Sequence, residues 1–229
     1  MALDRKRSAV EVIGADVLVV PECDASPALA GELGVSFAWR GENPQKGLGV
    51  FAFGGWRTEP VDEEQPLPWV LPVRVIDPGG VEVAILLAVW TVAHRLDGRP
   101  DYAGQVSAAI DACTTALEEG RAVIAGDLNC SAQGPSVARH LENMRRLERA
   151  GVRSAYHAFF GHEHGAEGAM TLSWVGPKRR VYEYHCDFLF LPGHMLERLR
   201  QVEVGSMMDW IESGLSDHCP VVAELVLSV

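Results

Sequence analysis

Short apolar runs and helical spacings alternate along the chain, separated by glycine, proline and charged residues. Residues 4–14 carry Val10 and Ile13 at helical spacing, which predicts a short amphipathic helix. The run over 15–22 predicts a buried strand that ends in a proline and a carboxylate, Pro21 and Glu22. Ser26 as N-cap, Pro27 in the first turn and Gly34 as stop predict a helix over 26–34. Strands are expected at 35–39 and 48–53 around a loop at 41–47, and the acidic, proline-rich 58–68 is expected as a surface loop. Runs at 69–76 and 81–91, joined by Asp77-Pro78-Gly79-Gly80, predict a hairpin whose second strand leads to His94. Helical spacing over 101–119 stops at Gly120, a buried strand follows at 121–126, and 135–150 is a helix rich in Arg and Glu pairs. Residues 170–175 and 181–191 suggest a second hairpin turning through 176–180. A helix near 194–200, a short one near 208–213 and a last strand over 219–227 complete the chain. Hairpins interspersed with helices argue an α+β layered fold. A chain of 229 residues that is 48% hydrophobic can bury one core, so a single domain over 1–229 is expected.

Charge narrows the partners. A net charge of −11 leaves no global basic surface to hold nucleic acid, so a polyanionic substrate must be met locally or through a cation. The longest apolar run near an end, 15–21, is far too short to span a bilayer, and no leader pattern appears, which points to a cytoplasmic chain without a membrane segment. Five cysteines without a C-x-x-C pair favour reduced thiols. Cys23, Cys130, Cys186 and Cys219 adjoin the polar residues singled out below; small core residues are a weightier reading of them than a zinc cluster.

Five places end or interrupt an apolar run with chemistry: Glu22, His94, Asp127 with Asn129, His185 with Asp187, and Asp217 with His218. Each alone has an ordinary explanation as a cap, a turn or a hydrogen-bonded structural residue. Their recurrence at strand ends matters, because a layered sheet gathers such loops along one rim. Two unit charges about 4 Å apart repel by roughly 4 kcal/mol at the effective dielectric of a protein. Several converging carboxylates would therefore erase a marginal stability of about 5–15 kcal/mol. Either the acids take up protons or a cation sits among them, and hard oxygen ligands select magnesium or manganese.

The ordered set V-V-P-E (19–22), A-G-D-L-N (125–129), Y-H-C-D-F-L-F (184–190) and S-D-H-C-P-V (216–221) resembles the endonuclease–exonuclease–phosphatase superfamily. The resemblance implies a four-layer αββα sandwich of two packed, mainly antiparallel sheets flanked by helices, with the site along one edge. It implies Glu22 as metal ligand, Asp217 beside the metal, and Asp127 with Asn129 orienting water and phosphoryl oxygens. Asp187 would hold the His218 imidazole, and His94 sits where deoxyribonuclease- and sphingomyelinase-like members carry a second catalytic His. The implied chemistry is Mg2+- or Mn2+-assisted attack of water on a phosphoester, nucleic acid being one candidate substrate. Phosphodiesters come first; monoesters or phospholipid head groups are the alternative, and a catalytically silent binding module the third reading.

The chain departs from that pattern at its start. Members open with a strand ending in W-N-x-N, whose first Asn helps bind the metal, and Asn43, Asn129 and Asn143 are not placed for that role. The expectation is a first strand encoded upstream of Met1. Weaker features are the Lys178-Arg179-Arg180 turn as a phosphate contact and Trp174 and Tyr184 as cleft walls, with core packing as their default. His157, His162 and His164 surround a loop near the expected mouth, without the H-E-x-x-H spacing that would mark a zinc site. No Walker A or nucleophile-elbow motif is present, which removes those classes.

Overall fold

The computed structural model describes residues 7–25, 31, 35–62, 67–93, 98 and 100–226. His94 and, apart from Gly31, the helix expected over 26–34 lie outside the described residues. In chain order the elements are α1 (Arg7–Ile13), β1 (Val17–Cys23), β2 (Ser36–Asn43), β3 (Lys46–Ala52), β4 (Arg57–Pro60), β5 (Val70–Ile76) and β6 (Glu82–Trp90). Then come α2 (Tyr102–Ala112), α3 (Thr114–Glu118), β7 (Ala122–Asp127), α4 (Val137–Arg149), β8 (Val152–Ser154) and α5 (Ala155–Phe160). The chain closes with β9 (Leu172–Val175), β10 (Val181–Tyr184), β11 (Asp187–Pro192), α6 (Gly193–Leu196), β12 (Leu199–Val204) and β13 (Val221–Leu225).

A six-stranded sheet in the order β4-β5-β6-β7-β11-β8 forms the centre, and its only parallel pair is β6 with β7. Alternate residues of these strands point to opposite faces. Leu87, Val89, Ile124, Phe188 and Phe190 face α2 and α4, where Val106, Ala109, Ile110, Met144 and Leu147 meet them. Leu86, Ala88, Val123, Leu71 and Val73 face the other way, onto Leu48 and Val50 of β3 and Val202 of β12. Beyond β3 a third apolar layer joins Cys23 and Phe51 to Val10 of α1. Helices, sheet, sheet and helix therefore stack in the expected αββα order. Among the described residues, no helix is long and apolar enough to cross a membrane.

The second β layer comes in two pieces, β1-β3-β2 and β12-β13. Among the described residues β1 and β13 each have a strand on one side only. A cavity of about 700 Å³ lies between them, lined by both strands and by Leu86, Val123, Ala125 and Leu189 of the central sheet.

Several boundaries depart from the sequence reading for local reasons. Strand 181–191 is two strands, because the Thr171 hydroxyl takes the N–H groups of Cys186 (3.0 Å) and Asp187 (3.1 Å) away from a ladder. β10 then pairs with β9, while β11 joins the central sheet. Part of the expected loop 58–68 is β4, paired with β5. The helix expected over 194–200 ends at Leu196; Gln201-Val202-Glu203 alternates exposed, buried, exposed, and pairs with β13 instead. Helix 101–119 breaks at Cys113, where the Thr114 hydroxyl bonds back to Asp111 O at 2.9 Å. The strands β2 and β3 run through the expected 41–47 loop to a turn at Pro44-Gln45. β8 and α5 have no counterpart in the sequence reading.

Candidate active site

β7 ends at Asp127, a buried carboxylate. The strand can deliver it there because Gly126, at φ 137°, lets the backbone close onto Val89 of β6. The chain then turns through Asn129 in the left-handed region at φ 47°. That turn folds Asn129 back on the acid: its backbone N–H reaches Asp127 Oδ1 at 2.8 Å, and its Nδ2 reaches Oδ2 at 2.6 Å. Nδ2 also donates to Thr91 O at 3.0 Å, so amide and carboxylate are both fixed before any substrate arrives.

β11 pairs with β7 in a register that sets Asp187 directly opposite Asp127. Asp187 Oδ2 accepts from His218 Nδ1 at 2.8 Å, which fixes the ring's orientation and leaves its Nε2 for other work. The loop carrying His218 is tied down from both sides. Ser173 N donates to Asp217 O at 3.2 Å and Cys219 N to Thr171 O at 2.7 Å, and His218 bridges to Leu172. Thr171 thus holds both halves of the Asp187–His218 pair, a role with no motif to announce it in the sequence.

Glu22 sits at a bulge near the end of β1 with φ 59°, and its exposed carboxylate pairs with Lys46 Nζ at 3.0 Å. Glu22, Asp127, Asp187, Asp217 and His218 line one cavity, so the structure gathers five of the seven residues to which the resemblance gives a role. Asn129 joins them through Asp127. His94 lies outside the described residues.

The electrostatics of this group call for positive charge. Burial lifts Asp127 well above the usual carboxylate range, and repulsion from Asp187 and Glu22 adds to the rise. Burial alone would lower His218, but Asp187, Asp127 and Asp217 outweigh it and carry the imidazole up to about 9. Asp127, Cys186, Asp187 and His218 place one ligand atom each within 4.8 Å of one another. The Cys186 thiol is driven far up by burial and stays protonated, which leaves carboxylate oxygens as the ionised donors and suits a hard cation.

The other residues singled out lie elsewhere. Trp174 is 42% exposed and stacks on Tyr182 at 5.0 Å on the β9–β10 hairpin, instead of packing in the core. Arg180 lies over the Tyr182 ring at 5.1 Å. Tyr184 lines a small depression with Asn129 and Cys130. All five cysteines are buried and unpaired. His157 is buried, and its ring stacks on that of His164 at 3.7 Å.

No family model matches the chain, and no curated protein matches it in sequence. Solved structures do match in shape. The Neisseria 3′ phosphatase NExo, bound to a product DNA hairpin, superposes with a TM-score of 0.70 at 18% identity, over 99% of this chain and 96% of its own. An AP endonuclease from Archaeoglobus fulgidus gives 0.71 at 13% identity, over 99% and 96%. The catalytic domain of Xenopus laevis APE2 gives 0.67 at 14%, over 98% and 88%.

Proposed function

From a chain that has the fold of the endonuclease–exonuclease–phosphatase superfamily, we propose a metal-dependent hydrolase of phosphoester bonds, acting on phosphodiesters. The observation that carries this reading is the register pairing of Asp127 with Asp187, with His218 hydrogen-bonded to the latter. A Mg2+ or Mn2+ ion would offset the burial and carboxylate repulsion that raise the Asp127 pKa, and Glu22 and Asp217 would hold it beside the two aspartates. When bound, such an ion supplies the positive charge that polarises a phosphoryl oxygen. Asp127, its oxygens fixed by Asn129, orients and deprotonates the attacking water. Asp187 keeps the His218 ring in place, and the imidazolium offers Nε2–H to a phosphoryl oxygen. His94 is proposed as a second catalytic histidine.

Nucleic acid is the favoured substrate class. The β9–β10 hairpin adjoins His218 and carries Trp174, Tyr182, Lys178 and Arg180, the aromatic and basic pairing on which bases stack and phosphates dock. The Neisseria neighbour, a 3′ phosphatase, favours phosphomonoesters as a second reading.

Turnover of a chromogenic phosphodiester and of the matching monoester, each with Mg2+, Mn2+ or EDTA, tests the proposal. EDTA-sensitive diester hydrolysis is expected; monoester hydrolysis alone moves the assignment to the second reading. Absence of turnover on either, even in a chain extended upstream of Met1, overturns the enzyme and leaves a binding module.

A further inference from the structure

Behind the candidate active site lies a second polar group that the phosphoester chemistry does not use. His157 and Glu167 are buried, His164 is half-buried beside them, and one ligand atom from each lies within 4.8 Å of the others. His140 and His185, both 0% exposed, pack their rings 5.8 Å from His164 and His157 respectively. The rings of His157 and His164 stack at 3.7 Å.

What sets this group apart is what it lacks. Of the four buried side-chain atoms without a hydrogen-bond partner among the described residues, three belong to it: His140 Nε2, His164 Nδ1 and His185 Nε2, the fourth being His162 Nδ1. For His185 the tautomer follows from geometry: Nδ1 faces Ala169 O at 2.8 Å, and a carbonyl only accepts, so Nδ1 carries the proton and Nε2 is a bare lone pair. An imidazole oriented by donating its other N–H to a backbone carbonyl is the usual state of a metal-ligating histidine. A buried polar atom left unpaired is costly, and three at one spot point to something outside the chain that takes them up.

The remaining donors fit the same picture. Glu167 is held by Gly165 N (3.0 Å) and Gln133 Nε2 (2.8 Å), and its Oε1 lies 3.1 Å from His157 Nε2. Two ligands on a tetrahedral ion with bonds of about 2.0–2.1 Å stand roughly 3.3 Å apart, so this separation is already that of a coordination edge. Nitrogen donors with one carboxylate differ from the oxygen-rich catalytic group, and they select zinc over magnesium.

We propose that this buried group is a closed zinc site, with His157, His164 and Glu167 as ligands and a fourth donor from His140 or His185. Its place gives it a job. His164 and Glu167 belong to the segment between α5 and β9, His140 to α4, and His185 stands two residues before Asp187. An ion there would tie His157 of α5 and the α5–β9 segment to either α4 or the residue two before Asp187, acting as a positioning centre and taking no part in the chemistry.

The test is the zinc content and thermal stability of the purified full chain, with excess Mg2+ present to occupy the oxygen site. The probe is Zn2+ alone, titrated back after chelation against a chromophoric competitor. About one zinc per chain is expected, with a lower Tm after stripping and recovery on re-addition. Asp127→Asn should keep that zinc. His164→Ala and Glu167→Gln should each bind it at least 10- to 100-fold more weakly, the loss that even outer partners of a ligand incur. His164 is half-buried on a loop and Glu167→Gln is isosteric, so circular dichroism should report folded variants. A wild-type chain that takes up no zinc overturns the proposal, as does zinc lost in Asp127→Asn or retained unchanged by both ligand variants.

Discussion

Replacing His218 by Ala is expected to cost at least about a hundredfold in kcat on a phosphodiester, and Asp127→Ala a similar factor, the scale on which positioned acid–base residues act. Asp127 at the end of β7 and His218 on its loop converge through Asp187, which faces Asp127 in register and bonds His218 at 2.8 Å. As groups proposed to act on one reacting centre, they should show little further loss in the double variant beyond either single one. Stability should move the other way. Burial and Asp187 both disfavour an ionised Asp127, so above about pH 8 Asp127→Asn removes a destabilising charge and should leave the metal-free Tm unchanged or raise it. Steady-state kinetics beside a thermal melt checks both parts. Wild-type rates in both variants would remove these residues from the chemistry, and a collapsed Tm would mean that the lost activity reports unfolding.

Among the glycines of the described residues, Gly126→Ala is expected to be the most damaging single methyl group. A Cβ at that position would overlap the carbonyl oxygen of Val89 and stand 3.0 Å from its carbonyl carbon, and the backbone there has φ 137°. Positive φ at a non-glycine residue costs about 1–3 kcal/mol by itself. The overlap adds to it, because Val89 is backbone in the neighbouring strand and cannot rotate away. A total above about 4 kcal/mol is expected. At roughly 2–4 °C per kcal/mol for a domain of this size, that is a fall in Tm of roughly 10 °C or more. Chemical or thermal denaturation of Gly126→Ala against wild type measures it; a shift within about 1 °C would mean that β6 and β7 are not paired at this register. Ala substitution at Gly161, whose Cβ meets nothing within 4 Å, serves as a control for positive φ without a clash.

How much of this was legible beforehand depends on the range of the interaction. The A-G-D-L-N stretch announced a strand giving way to a polar turn, because apolar run, glycine and acid are all local signals. The hairpin of 69–76 and 81–91 was equally local, with its turn chemistry written in Asp77-Pro78-Gly79-Gly80. The break of 181–191 was not legible. It is caused by the hydroxyl of Thr171, fifteen residues from Cys186 in sequence, and no periodicity within 181–191 encodes a competitor that distant. The strand at β12 was hidden by a helical start at 193–196 running straight into an alternating pattern. At the site, Asp187 and His218 could be named from their motifs, but not that Asp187 sits opposite Asp127, since register between non-adjacent strands is a tertiary fact. The histidines fared worst. The spacing of His157, His162 and His164 matches no metal signature, and only the fold brings His140 and His185 from other elements to join them.

The central claim is that Glu22, Asp127, Asp187 and Asp217 share one divalent cation. Titration of Mn2+ into zinc-saturated protein, followed by the electron paramagnetic resonance signal of free Mn2+, tests it most directly. The account predicts one bound Mn2+ per chain in the wild type, displaced by Mg2+ and lost or much weakened in Glu22→Gln and Asp127→Asn. Equal binding by the wild type and both variants, or none by any, would contradict it.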